Sequence, residues 1–153
     1  MKKECGSCTK CCEGWLSATI HNKPMHKGRP CFYLDKCNNT CSIYDERPKD
    51  PCKDYSCAWL LDDKNIFPLW MKPNLSNVII TEKILTKDNK QFNYYEMIEA
   101  GSKVESEILN WIIHWALSSQ INLQYEVAGN KFIFGEPEFA EALASVSGNV
   151  TKM

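Results

Sequence analysis

Val78-Ile79-Ile80-Thr81-Glu82-Lys83-Ile84-Leu85 is rich in β-branched residues, Lys87-Asp88-Asn89-Lys90 follows as a set of turn formers, and residues 91–98 carry Phe92, Tyr94 and Tyr95. Two β-forming runs around a polar turn predict a β-hairpin. Downstream, Gly101 closes the second strand, and Ser102-Lys103-Val104-Glu105 has the S-x-x-E spacing of a helix capping box. The helix this predicts puts Val104, Ile108, Trp111, Ile112 and Trp115 on one face, widened by Leu109, Ile113 and Ala116, with Lys103, Glu107, Asn110 and His114 opposite. So wide an apolar arc suits a helix laid on a sheet. Residues 122–128 and 131–134 flank Gly129-Asn130, a short-hairpin signal. Pro137 then opens a last helix whose inner stripe is Phe139, Leu143 and Val146. The order β-β-α-β-β-α predicts an α+β fold, with a small antiparallel sheet covered by helices on one face.

Upstream of the hairpin the texture is different. Residues 1–60 have little apolar periodicity and many turn formers, including Glu13-Gly14, Lys23-Pro24, Asn38-Asn39, Arg47-Pro48 and Asp50-Pro51. Two parts are therefore expected: a loop-rich cysteine module over 1–60, and an α+β part over 61–153 packed with it as one unit. At 44% hydrophobic and 11% aromatic, the chain of 153 residues has enough apolar matter for a core, which argues against disorder. No Gly-rich phosphate loop, internal repeat or low-complexity tract is present.

All nine cysteines lie between Cys5 and Cys57. No apolar run follows Met1-Lys2-Lys3, so no signal peptide is expected. No stretch reaches the roughly 18 apolar residues of a membrane helix; Asn110 and His114 interrupt the best candidate. The expected location is cytoplasmic, where thiols stay reduced and a dense cysteine set reads as metal-binding or catalytic. A segment this poor in apolar pattern needs a staple, and bound metal supplies one because binding energy becomes folding energy.

Cys5, Cys8, Cys11 and Cys12 form a C-x2-C-x2-C-C run. C-x2-C-x2-C is the spacing of a ferredoxin-type iron–sulfur loop, and C-x2-C pairs also build structural zinc sites. Adjacent cysteines fit neither pattern alone, since successive side chains diverge. A binuclear arrangement, two mononuclear sites, and one cluster beside a free thiol all remain open at this point. Charge agrees with a thiolate centre: ten Lys/Arg face seven Asp/Glu over residues 1–57, and eight face twelve afterwards. The basic residues are scattered among acids and the net charge is −1, so no nucleic-acid partner is expected.

The second half of the segment reads Pro30-Cys31-Phe32-Tyr33-Leu34, then Cys41-Ser42-Ile43-Tyr44-Asp45-Glu46-Arg47-Pro48, then Cys52-Lys53-Asp54-Tyr55-Ser56-Cys57. With the C-x2-C-x2-C-C run, these motifs resemble the YkgJ-like cysteine-cluster family, whose shared CxxCxxCC domain is described as zinc- or iron-chelating. The resemblance spans roughly residues 5–60. It implies metal ligation by Cys5, Cys8, Cys11, Cys12, Cys31, Cys41, Cys52 and Cys57, with Zn2+ or an iron–sulfur cluster as the cofactor. Cys37 has no place in the pattern and is expected to be a free thiol or a local substitute for a ligand. A related domain in flagellin lysine methylases, where an iron–sulfur cluster is implicated, makes an accessory or catalytic role a further alternative. Nothing resembling an S-adenosylmethionine loop, a Ser/His/Asp set or a carboxylate pair supports catalysis, and whether the chain is an enzyme stays open.

The expected function is a metal or iron–sulfur protein with a redox, sensing or maturation role. The alternative is a zinc-stapled module that contacts another protein. Tyr44 and Arg47, amid dense thiolate charge, are expected just outside the ligands, with Arg47 hydrogen-bonding the site or a nearby carbonyl unless it is simply solvated. His21 and His26 could replace a thiolate but are expected in solvated loops, and His114 is expected on an exposed helix face. Trp59, Trp70, Trp111 and Trp115 are expected in core packing.

Overall fold

The computed structural model describes residues 8–35, 37–38, 40–49, 52, 55–62, 64–147 and 150–152. The chain divides into two compact units, Met1–Ile79 and Ile80–Met153.

The first half of unit one is built from very short elements. A 3-10 turn at Lys10–Cys12 leads to β1 (Ala18–Ile20) and β2 (Lys23–Met25), an antiparallel ribbon. His21 and Asn22, at φ 48° and 65°, make its tight turn. β3 (Leu34–Asp35) and β4 (Thr40–Cys41) form a second ribbon, followed by a 3-10 turn at Tyr44–Glu46. Gly14 is required where it stands: its φ is +98°, and a Cβ there would lie 2.4 Å from the His26 carbonyl oxygen. The apolar centre of this half is small. Ile20, Met25 and Cys31 are buried, and Cys12, Ala18, Tyr33, Leu34, Ile43 and Cys52 pack against them.

Residues 61–79, expected with the C-terminal part, belong to unit one instead, and local hydrogen bonds show why. α1 (Ala58–Leu61), a 3-10 turn at Leu69–Met71 and α2 (Pro73–Ser76) follow one another closely. Trp59 Nε1 donates to the Pro68 carbonyl at 3.2 Å, and the Asp62 carboxylate accepts the Ile66 and Phe67 amides at 3.0 and 2.6 Å. Trp59 is buried as expected, whereas Trp70 is 44% exposed and is not a core residue.

Unit two realises the α+β class in the expected order, with one strand more. The sheet runs β5-β6-β7-β8-β9, from β5 (Val78–Lys87), β6 (Lys90–Glu99), β7 (Leu123–Val127), β8 (Asn130–Phe134) and β9 (Val150–Lys152). α3 (Ser106–Ser118) joins β6 to β7, and α4 (Pro137–Ser147) joins β8 to β9. Asp88 and Asn89, at φ 51° and 65°, form the predicted first hairpin turn.

Two details differ from the expectation. The sheet is mixed, because β6 pairs with β7 and β8 with β9 in parallel, while β7 and β8 are antiparallel. A helix inserted between neighbouring strands carries the chain back to the starting end, so the next strand runs parallel. The helices also cover opposite faces. Trp115 of α3 meets Tyr95, with ring centroids 5.0 Å apart, while Phe139 of α4 meets Tyr94 at 5.2 Å. Tyr94 and Tyr95 are consecutive in β6 and point to opposite sides. Handedness requires this: both crossovers step the same way across the sheet, but β6 and β8 run in opposite directions, so two right-handed crossovers fall on opposite faces.

Smaller corrections have one source. α3 starts at Ser106 with no side-chain cap, so the Ser102–Glu105 box is unused. The Glu99 carboxylate instead accepts the Val104 amide at 2.8 Å. It also accepts the Ala128 and Gly129 amides at 2.8 and 2.9 Å, placing the second turn on Ala128-Gly129 rather than Gly129-Asn130. In α4 the inner residues are Phe139, Ala140, Ala142 and Leu143, and Val146 is 61% exposed. His114 lies exposed on α3, as expected. No helix among the described residues is long and apolar enough to cross a membrane.

Candidate metal centre

Cys12 closes the first 3-10 turn, its amide donating to the Thr9 carbonyl at 2.8 Å. Glu13 pins that turn, accepting from Thr9 Oγ1 at 2.9 Å and pairing with Lys10 at 3.5 Å. The Cys12 carbonyl in turn accepts the Cys31 amide at 2.8 Å, which fixes the two cysteine loops side by side. From Cys31 the chain turns tightly, with the Leu34 amide donating to the Cys31 carbonyl at 3.1 Å. Leu34 then stands opposite Cys41 in the β3–β4 ladder. Cys12 and Cys52 both pack against the buried cluster of Ile20, Met25 and Cys31. Cys12, Cys31 and Cys52 thus share one small apolar centre.

Their electrostatics show mutual proximity. The Cys12 thiol is lowered from 9.0 to about 7: a hydrogen bond from Cys11 favours its thiolate most, and the Arg47 guanidinium adds to this, against burial and the Glu13 charge. Burial pushes the Cys31 thiol up, with the charges of Cys12 and Cys41 adding to it. Burial likewise raises Cys52, which also feels Cys12, Cys31 and Cys41, with Arg47 opposing. Arg47 is held for this task by Tyr44: Arg47 Nε donates to the Tyr44 carbonyl at 2.9 Å, and the guanidinium stacks 3.8 Å from the ring centroid. The carbonyl contact expected of Arg47 is therefore present, while Tyr44 itself is 60% exposed and acts as a shelf.

The other expected residues are placed as follows. Cys5 lies outside the described residues. Cys8 is half-buried just ahead of the first 3-10 turn, and Cys11 sits beside Cys12. Cys57 occupies the N-cap of α1. Cys37 is exposed in a turn where Asp35 Oδ1 accepts its amide at 3.0 Å. His21 and His26 are exposed; His21 Nε2 lies 3.2 Å from the Glu46 carbonyl and the ring meets Tyr33 edge-on at 5.8 Å. Among the described residues no three His, Cys, Asp or Glu side chains stand close enough together to hold a metal ion. Thiolate sulfur is the donor a thiophilic ion takes; Cys12 is shifted toward that form, while burial shifts Cys31 and Cys52 away from it. Sequence reasoning assigned no site role to Glu13; its signal was only position, next to the cysteine pair. No family model, curated protein or solved structure matches the chain.

Proposed function

We propose that unit one is a thiolate metal centre of a cytoplasmic protein, taking zinc or an iron–sulfur cluster on up to eight cysteines, as the cysteine-cluster resemblance implies. Those cysteines are Cys5, Cys8, Cys11, Cys12, Cys31, Cys41, Cys52 and Cys57. The observation that carries the reading is the packing of Cys12, Cys31 and Cys52 in one centre with Ile20 and Met25, where Cys41 adds its charge to Cys31 and Cys52 and Arg47 opposes it at Cys12 and Cys52. When bound, a cluster would supply one-electron chemistry, and a zinc closed by four thiolates would supply folding energy with no open position. Arg47 offsets thiolate charge without ligating, and Ile20 and Met25 keep water from the sulfurs. Three buried side chains make a slight core for this half, which favours a stapling ion, worth roughly 10–16 kcal/mol in small zinc modules.

The test is metal analysis with absorbance on anaerobically purified protein. Stoichiometric zinc in a colourless protein removes the redox role and keeps the centre; brown protein with broad visible absorbance supports the cluster. Protein free of zinc and iron that binds neither on addition refutes the centre.

A second reading, a zinc-stapled module that contacts another protein, is favoured by the exposure of Leu61, Ile66, Leu69 and Leu75 within one short stretch. Self-association is its simplest form. Light scattering of the wild type against Leu69→Ser tests it, and equal monomer masses would count against that form.

A further inference from the structure

We infer that the acid-free ribbon of unit one is a contact surface for single-stranded nucleic acid, with Phe32 as the platform for one base and Lys23, Lys27 and Arg29 as partners of the phosphates. This goes beyond the thiolate-centre reading and does not rest on it. No Asp or Glu stands between Glu13 and Asp35, whereas Lys23, Lys27, Arg29, His21 and His26 all do. The whole-chain charge balance, from which no nucleic-acid partner is expected, averages this run away. The fold keeps these groups in water. All five are exposed, while Ile20 and Met25 of the same ribbon turn into the apolar centre. His26 and Arg29 close a tight turn through amide-to-carbonyl bonds of 3.0 and 2.7 Å, and open space surrounds Gly28 inside it. From Lys23 to Lys27 the chain advances four residues, at most about 13 Å, so the cations form one short row.

Phe32 separates a base-binding surface from a merely cationic one. Its ring is 68% exposed although it follows buried Cys31 in the chain. Lys23 Nζ lies 5.0 Å from the ring centroid. Tyr33 supports the ring edge-on at 5.2 Å, and His21 meets Tyr33 in turn at 5.8 Å. An exposed ring with a cation alongside offers stacking to a base and an ion pair to its phosphate at once. A polyanion without bases, such as a sulfated polysaccharide, has nothing to stack there. A duplex keeps its base faces covered, so the ring selects single strands. Tyr44 is a second exposed ring, but Arg47 already stacks on it at 3.8 Å and Asp45 and Glu46 follow it. The base is therefore assigned to Phe32.

The experiment is fluorescence anisotropy of the full chain, as purified, with labelled oligo-dT and oligo-U strands over a range of salt concentrations. The wild type should bind both, with log affinity falling against log salt at a slope of about −2, from three single-strand contacts at about 0.7 each. Phe32→Ala should weaken binding about 5- to 150-fold with the slope unchanged. Phe32→Trp, which keeps a stacking ring, should bind like the wild type. Lys27→Gln with Arg29→Gln tests the phosphate row independently of the ring and should bring the slope to about −0.7. Lys103→Gln, an exposed cation of unit two, should leave affinity and slope unchanged. Phe32→Ala binding like the wild type overturns the base platform, as does a duplex, heparin or anionic vesicles bound as tightly as the single strand. A slope of about −2 in the double variant overturns the phosphate row. No binding of either strand at low salt overturns the surface altogether.

Discussion

Replacing Glu99 by alanine tests how unit two is locked. The carboxylate accepts three backbone amides, from Val104 at 2.8 Å, Ala128 at 2.8 Å and Gly129 at 2.9 Å. Val104 is only 4% exposed, so its amide is left without water when the acceptor goes, at about 1–3 kcal/mol. Ala128 and Gly129 are exposed, and their amides rehydrate, so each loss costs only about 0.5–1 kcal/mol. The expected total for Glu99→Ala is about 2–5 kcal/mol, and for Glu99→Gln, which keeps one acceptor, about half of that. Urea unfolding gives the free energy, and amide exchange of Val104, Ala128 and Gly129 gives the local effect. In the alanine variant Val104 should exchange faster by the larger factor, because its bond is the desolvated one. A stability loss under about 0.5 kcal/mol, or exchange that rises at the turn and not at Val104, would refute this account of the loop and the turn.

Four other outcomes are expected. Phe139→Ala should destabilise by about 3–5 kcal/mol in urea unfolding, since this fully buried ring packs on Phe92 and Tyr94; a loss near 1 kcal/mol would contradict that packing. Ala128→Gly should stabilise by about 1 kcal/mol, because Ala128 holds a φ of 51° that glycine adopts freely. Cys37→Ser should leave metal content unchanged by elemental analysis, and loss of metal would show that the ligand set is wrong. In the metal-free chain, alkylation of Cys12 should have its pH midpoint at about 7 instead of 9.0. A depressed thiol favours the fold as thiolate, so that contribution is complete above 9.0 and disappears as pH falls through about 7. Cys11→Ala and Arg47→Met should both raise the midpoint, Cys11→Ala the more; a midpoint near 9.0 in a chain with a native far-UV spectrum would contradict the assignment.

Where local chemistry decides, the sequence was legible. Asp88-Asn89 tolerates two left-handed residues and the flanking runs are β-formers, so the first hairpin could be read directly. Pro137 marks the start of α4 because its missing amide costs nothing at a helix start. The errors arise where a distant group overrides a local preference. Ser102–Glu105 has a capping spacing, but Glu99 takes the Val104 amide, and Val104 is buried ahead of the helix. Gly129-Asn130 is a better turn pair than Ala128-Gly129 by propensity, yet the same carboxylate binds the Ala128 and Gly129 amides from about thirty residues away. Parallel pairing and two-sided helix cover follow from crossover handedness, which depends on strand direction and has no residue signature.

The cysteine segment divides along the same line. Ligand candidates were legible because sulfur is scarce and its spacing is informative, and Arg47 was legible as a cation among thiolates. How their loops are brought together was not, because that depends on bonds between carbonyls and amides that any residue could make. The bond from Cys31 to the Cys12 carbonyl and the Leu34–Cys41 pairing carry no side-chain signature. They nevertheless bring the Cys12 and Cys31 loops side by side, while the Cys12 thiolate takes a hydrogen bond from its immediate neighbour Cys11. Divergence of adjacent side chains implied that Cys11 and Cys12 serve different ends. With Cys11 hydrogen-bonded to Cys12, and Cys12 packed on the cluster of Ile20, Met25 and Cys31, the two neighbours instead meet beside one apolar centre.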